Sequence, residues 1–472
     1  MNNFNTRTHL IVFSLLLMSS FVQAQNNGPA DTSQGYYSVV SRKLIELGLH
    51  DLGAYTFLRE LVSIAPERFS GTPGYQFATD FVARWMKKYG LENVRLEPVV
   101  VPRWERGSTE QAVVLASGRH ASDVSLSICA LGGSIATPPE GVAARVLEVH
   151  SFEELAAKEA DARRNIVFFN VPMDPEKLNT RDAYRAVARY RTKGAIEAAK
   201  RGALAVLVRS LTLAKDDVPH TGTVEYNDQV THIPAAALGT LSADLLSNRV
   251  KEDEHVRAKV VLSCQPLGNV ESFNVVGEIR GLEKPNEIVL VGAHLDAWDV
   301  GTGAHDDGAG CAHVLEALDL IRRAGLKPKR TIRVVLFTNE EHGASGAAAY
   351  ATAAARVSER HIAAIESDHG GFAPRGFNFE TDSVTFRKFL QWRRLFEELN
   401  AGKFAPGFTA TDIQPLVAKG VTGIGLDPEN HRYFDYHHSA NDTIDKVHPR
   451  ELEMGAIVIG LLSFLIAETS MN

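Results

Sequence analysis

The chain has 472 residues and a mass of 51.5 kDa, too long for one average domain and sufficient for two. Its 50 Lys and Arg against 57 Asp and Glu leave a net charge of −7 and a pI near 6.2, which argues against a nucleic-acid binder. With 44% apolar residues, 23% charged residues and a mean hydropathy of −0.11, the composition is that of a soluble globular protein. Cys129, Cys264 and Cys311 are too few and too scattered for a disulfide scaffold or a thiolate zinc site.

Arg7, the apolar run Leu10 to Met18 and Val22-Gln23-Ala24 read as a secretory signal peptide over residues 1–24. The run is shorter than the ~20 residues a spanning helix needs, so no membrane anchor is expected. From Ser38 to Tyr89 the pattern is helical, with Phe77, Phe81, Trp85 and Met86 on one face and Gly90 as the stop. The cluster Phe69 to Gly74 is a turn leading into that helix, and Val94 to Val101 reads as a strand. The texture then changes. Short apolar strands (Val113–Ala116, Ile166–Asn170, Ala205–Val208, Ile233–Leu238) surround one helix, Tyr184 to Arg201. They describe a small α+β unit over residues 109–265, inserted between residues 25–108 and 266–472.

Beyond Pro266 the rhythm is strand, loop, helix. Ile288–Val291, Val334–Phe337, Ile362–Ile365 and Gly423–Leu426 are continuous apolar runs, alternating with helices Gly310–Arg323 and Ala344–Ala355. Ile457–Ala467 reads as a buried C-terminal helix. The fold class is α/β: a mixed, largely parallel sheet with helices on both faces. In such sheets the chemistry collects beyond the carboxyl ends of the strands.

Those ends carry His294-x-Asp296, then Asp306-Asp307 in the loop Gly301–Gly310, Glu340-Glu341, Asp368, and His438 within Tyr436–Thr443. Ten of the 17 histidines fall between positions 294 and 448, which favours a metal centre in this half. A lone histidine at a strand end is usually a hydrogen-bonded structural residue. Glu-Glu is usually a solvated face, and Asp-Asp-Gly a turn. Together, at one edge of one sheet, they supply ligands and a base. Imidazole and carboxylate without thiolate suit hydrolytic Zn²⁺.

The ordered set His-x-Asp, Gly-Ala-x-Asp-Asp-Gly, Glu-Glu-x-Gly-x-x-Gly, Ser-Asp and His-Ser-x-x-Asp-Thr resembles the dizinc aminopeptidase family from Ser38 to the C-terminus. Within it the chain is most similar to the carboxypeptidase Q branch, whose members carry a protease-associated insert matching residues 109–265. The resemblance implies two Zn²⁺ per chain, one held by His294 and Asp368, the other by Glu341 and His438, with Asp306 bridging. It implies Glu340 as general base, Asp296 holding the far nitrogen of His294, and a cis peptide at Asp306-Asp307. His437 has two readings, contact with the substrate carbonyl or a packing role. His305, His342 and His369 flank ligands without filling a slot and read as structural or rim-lining, His313 is a structural helix residue, and Asp412 lies in a family segment near the pocket, its role unassigned. The implied protein is an exported zinc exopeptidase, periplasmic or secreted, acting on short peptides or dipeptides, with a homodimer in prospect. Two same-fold alternatives stand beside it: a one-zinc glutaminyl cyclase and a non-catalytic binding protein like the transferrin receptor.

Overall fold

Four apolar runs lie side by side and parallel at the centre of an eight-stranded sheet, in the order Arg330–Phe337, Lys284–His294, Arg360–Glu366 and Thr422–Pro428. The computed structural model describes residues 32–118, 120–356 and 359–469; the expected signal peptide lies outside the described residues. Successive residues of a strand face opposite ways, and here both faces are covered. Val289, Val291, Val334 and Leu336 enter a core shared with helices Ala309–Arg323, Pro449–Glu468 and Gly53–Ile64. Leu290, Val335 and Phe337 enter a second core with helix Ser345–Arg356. Burial on both sides is why these runs show no polar alternation.

Two strands extend the sheet at each side: Gln265–Ile279 and Glu92–Glu105 at one, Pro374–Glu380 and Lys403–Pro406 at the other. The N-terminal helical stretch resolves into Thr32–Asp51, Gly53–Ile64 and Pro73–Lys88. Thr72 caps the last of these, its side chain accepting from the Tyr75 N–H at 3.3 Å, with Pro73 in the first turn and Lys87 and Lys88 in the last.

A second eight-stranded sheet is drawn wholly from residues between Glu110 and Leu262, with Val142–Val149, Ile166–Phe169, Ala205–Arg209 and Ala235–Leu238 parallel at its centre. The single helix expected from Tyr184 to Arg201 is two, Thr180–Thr192 and Gly194–Ala199. The first begins four residues early because the Asn179 side chain caps it. The second starts at Gly194, where a Cβ would sit 2.9 Å from the Phe169 ring. Helix Thr240–Glu252 carried no sequence expectation; its N-cap is Gly239, with no side-chain cap, and its buried face is small (Ala243, Leu246, Ser247). All three cysteines are buried and free.

Candidate metal centre

Strand register brings the polar ends together. His294 pairs with Phe337 on one side and Gly292 with Glu366 on the other, so His294, Glu340-Glu341 and Asp368 open on the same sheet edge. Asp306 reaches that edge from the glycine-rich loop ahead of helix Ala309–Arg323. Three groups pin the loop. Buried Arg68 donates to the carbonyls of Leu295 at 2.8 Å, Thr302 at 2.5 Å and Gly303 at 2.6 Å. The Asp442 carboxylate accepts from the N–H groups of His305 at 2.7 Å and Asp306 at 3.0 Å. Asp307 accepts from the N–H groups of His294 at 3.2 Å and Gly310 at 2.9 Å. The Asp306–Asp307 peptide is cis.

Asp306 faces two ways. Its Oδ1 lies 3.3 Å from His294 Nε2, and Asp368 Oδ1 lies 3.4 Å from the same nitrogen. Its Oδ2 lies 3.3 Å from His438 Nε2, which is 2.9 Å from Glu341 Oε2. Each half is thus an imidazole flanked by two carboxylates, sharing Asp306. His437 stacks on His438 at 3.5 Å between ring centroids, with its Nε2 3.6 Å from Asp306 Oδ2.

Both imidazoles have their tautomer set from behind. His294 Nδ1–H donates to the backbone carbonyl of Asp296 at 2.9 Å, leaving the Nε2 lone pair turned to the carboxylates. The contact expected of Asp296 is therefore made by its main chain. Its carboxylate stands 3.9 Å from Nδ1 and instead accepts the Glu340 N–H at 3.2 Å, fixing the start of the Glu-Glu pair. His438 Nδ1 donates to the Thr221 carbonyl at 3.3 Å, and the Thr221 N–H returns to the His438 carbonyl at 2.8 Å. Two more bonds come from the same segment: His220 Nδ1 to the His437 carbonyl at 2.8 Å, and Thr223 Oγ1 to the Glu341 carbonyl at 2.5 Å. The second sheet's polypeptide therefore supports one half of the centre directly. His438 needs that support, since its φ of 61° is in the left-handed region.

The carboxylates crowd each other in a dry site. Burial holds Glu341 and Asp307 well above the usual carboxylate range, and neighbouring Asp306 adds to it in both. Glu340 is pushed up to about 7, first by loss of water, with Asp368, Asp306 and Asp296 adding against the opposing pull of His294. Asp306 Oδ2 and Glu341 Oε1 are buried without a hydrogen-bond donor. Cations would relieve that negative charge, and the donor set (imidazole and carboxylate, no thiolate) suits zinc.

The remaining histidines have structural partners. His305 stacks on Phe372 at 4.4 Å between centroids, with Tyr436 near-parallel at 5.4 Å, accepting at Nδ1 from the Gly371 N–H at 3.1 Å and contacting the Lys446 carbonyl through Nε2 at 3.3 Å. Burial lowers its pKa to about 4. His313 meets Ser367 Oγ at 2.9 Å. His342 lies beside Phe69, and His369 lines the cleft near Tyr433. Asp412 is buried behind Glu366, which accepts its N–H. Sequence reasoning gave no role to Arg68, Thr221 or Thr223, which stand alone in their segments; Asp442 stood within a quoted motif but also without a role. The site opens into a cleft of about 550 Å³, lined by Glu340, Asp306 and Asp368 together with Arg181, Arg185 and Arg191 of helix Thr180–Thr192.

Residues 274–462 match the family model described as peptidase family M28. Carboxypeptidase Q of Bos taurus is 36% identical over 97% of this chain and 96% of its own length. Carboxypeptidase Q of Homo sapiens is 37% identical over 91% and 89% respectively. Among solved structures, a peptidase M28 precursor from Shewanella amazonensis superposes with a TM-score of 0.88 at 32% identity, covering 92% of this chain and 98% of that one. A zinc aminopeptidase from Bacillus subtilis shares the fold, with a TM-score of 0.63 at 19% identity over 89% and 96%.

Proposed function

The chain belongs to peptidase family M28, alongside carboxypeptidase Q, and on that footing we propose that it is an exported zinc exopeptidase hydrolysing short peptides or dipeptides at a dinuclear centre. The observation that carries the reading is Asp306, whose two oxygens each face a different imidazole–carboxylate pair at 3.3 Å. His294 and Asp368 would hold one zinc, Glu341 and His438 the other, with Asp306 shared. Two zinc ions so placed would lower the pKa of a water toward neutrality and polarise the scissile carbonyl.

The residues around them divide the remaining work. Glu340 is partly exposed on the cleft floor, free of a ligand's task, and takes a proton from the attacking water and delivers it to the leaving amine. Asp296 fixes both the Glu340 main chain and the His294 ring. His437, at the cleft wall beside Asp306, is placed to meet the substrate carbonyl. Residues 109–265 are a protease-associated-like insert that shapes substrate access or dimer contacts, and a homodimer is retained from the resemblance. Among the described residues no helix is long and apolar enough to cross a membrane.

Metal analysis of purified protein beside an assay on unblocked dipeptides tests the reading. Two zincs per chain with turnover support it; one zinc supports a cyclase, and metal-free inactive protein a binding role. Export is tested by intact mass from an extracytoplasmic fraction, expected to begin at Gln25.

A further inference from the structure

We infer that Glu225 selects for a substrate residue with a cationic side chain, lysine or arginine, beside the scissile bond. The inference rests on the peptidase reading and narrows its substrate class: short peptides with a basic residue on the Glu341/His438 side of the centre.

Glu225 lines the cleft, is exposed, and among the described residues makes no ion pair. Its main chain is held in place. The Glu225 N–H donates to the Thr192 carbonyl at 2.8 Å, and the Val224 N–H to the Gly132 carbonyl at 2.9 Å. Val224 is buried in the core of the second sheet's unit, whereas Thr223 and Glu225 on either side of it line the cleft, the alternation of an extended segment. Thr223 is tied to the metal centre through its bond to the Glu341 carbonyl. Glu225 is therefore anchored two residues from that point, about 7 Å of extended chain.

The surroundings of Glu225 are polar. Its bonded neighbours are Thr192, Thr223 and, through Thr223, the turn Glu341–Gly343, which offer hydroxyls and main chain. The aromatic lining is gathered elsewhere in the cleft. Tyr184 stacks on Phe434 at 4.5 Å and meets His437 edge-on at 5.2 Å, and Phe408 lies 5.1 Å from the Arg185 guanidinium. An aliphatic side chain reaching Glu225 would find little apolar surface to bury, and an ammonium would find a carboxylate. The cleft's own cations do not occupy it. Arg191 hydrogen-bonds to Tyr184 and the Thr221 carbonyl, Arg181 pairs with Asp427 at 3.0 Å, and Arg185 stands over Phe408. The distance fits a side chain better than a free α-amine. An α-nitrogen lies about 2.5 Å from its own carbonyl carbon and stays at the metals, whereas the lysine Nζ extends about 6 Å from its Cα, the span over which Glu225 is set back.

The test uses zinc-loaded full-length protein with Lys-Ala, Ala-Lys and their norleucine counterparts, in wild type, Glu225→Gln and Glu225→Lys. Norleucine keeps the lysine chain and lacks only the ammonium, so the ratio of kcat/KM, lysine over norleucine, isolates the side-chain charge from both free ends. In wild type that ratio should be about fivefold or more at one position at least. Glu225→Gln should bring it near one and Glu225→Lys below one, with zinc content unchanged. Added salt is the arm that needs no variant: between about 20 mM and about 500 mM the wild-type ratio should fall toward one, because an exposed pair is screened. A wild-type ratio near one at both positions, a preference that Glu225→Lys does not invert, or one indifferent to salt overturns the inference. So does loss of zinc in Glu225→Gln, which makes Glu225 a support of the centre. If wild type turns over none of the four dipeptides, the peptidase reading itself fails and takes the inference with it; should a variant not fold, the wild-type ratio and its salt dependence decide.

Discussion

Glu340 and Glu341 share a peptide bond and take different tasks in the proposed mechanism, which makes them the sharpest probe at the residue scale. Glu340→Gln keeps size and shape but cannot accept a proton, so zinc should stay near two per chain while turnover falls roughly 10²–10⁴-fold. Glu341→Gln offers a neutral, weaker ligand and should lower zinc occupancy together with activity. His438→Ala should follow Glu341→Gln, because both belong to the same half of the centre. Metal analysis beside kinetics separates them, and the roles are reversed if Glu340→Gln is the variant that loses zinc. Most of the proposed ligands were legible in the sequence because His294, Glu341 and Asp368 follow apolar runs and Asp306 precedes a helix, whereas His438 stands in a loop and was marked by its motif alone. Their supports were legible only in part. Arg68 acts through three carbonyls separated from it by over 200 positions, and Asp296, marked by its place after His294, meets the ring through its main-chain oxygen while its carboxylate accepts the Glu340 N–H.

Between elements, the telling contact is the one that segment His220–Thr223 makes with the loop carrying His437 and His438. Residues 109–265 supply none of the proposed ligands. The hydrogen bonds from Thr221 and Thr223 nonetheless orient His438 and the Glu341 main chain. Thr223→Val keeps the branched shape and removes the hydroxyl that donates to the Glu341 carbonyl. It should weaken zinc at the Glu341/His438 half by roughly 10–100-fold while the His294/Asp368 half stays loaded. Chelator titration resolved into two steps reads this directly: one step should move and the other hold. Equal weakening of both steps would falsify the selective link. The four central strands were legible because burial on both faces removes polar residues from them. The break at Lys193–Gly194 was not; what the structure adds is that Gly194 packs so close to the Phe169 ring that a Cβ there would sit 2.9 Å from it, a contact with a strand some 25 positions away and invisible to helical periodicity.

At the scale of the whole molecule, two buried acids in the helical layer behind the sheet should shape stability against pH. Glu316 of helix Ala309–Arg323 and Glu453 of helix Pro449–Glu468 are 1% and 0% exposed, so packed that a Cβ on Gly53 or Gly48 would collide with them. Glu316 accepts from the Tyr89 hydroxyl at 2.9 Å and Glu453 from the Ala54 N–H at 3.0 Å, but Oε1 of each has no donor. Burial, chiefly, raises Glu316 to about 7, with Asp319 adding and Arg323 opposing, and raises Glu453 to about 8, with Glu316 adding. Unfolded, both would titrate near the ordinary value of about 4.3. Between that value and about 8 the folded chain therefore holds more protons than the unfolded one, and stability falls as pH rises across the window. The loss should be on the order of a few kcal/mol, complete only above the folded values. Zinc affinity itself depends on pH, so the clean measurement is a difference. The melting temperature of Glu316→Gln/Glu453→Gln minus that of wild type, both zinc-saturated, should rise from pH 5 to pH 8.5, because glutamine carries no charge to bury. A flat difference would mean that these carboxyls are ionised in the folded protein at neutral pH, and that the helical layer tolerates the charge it was built around.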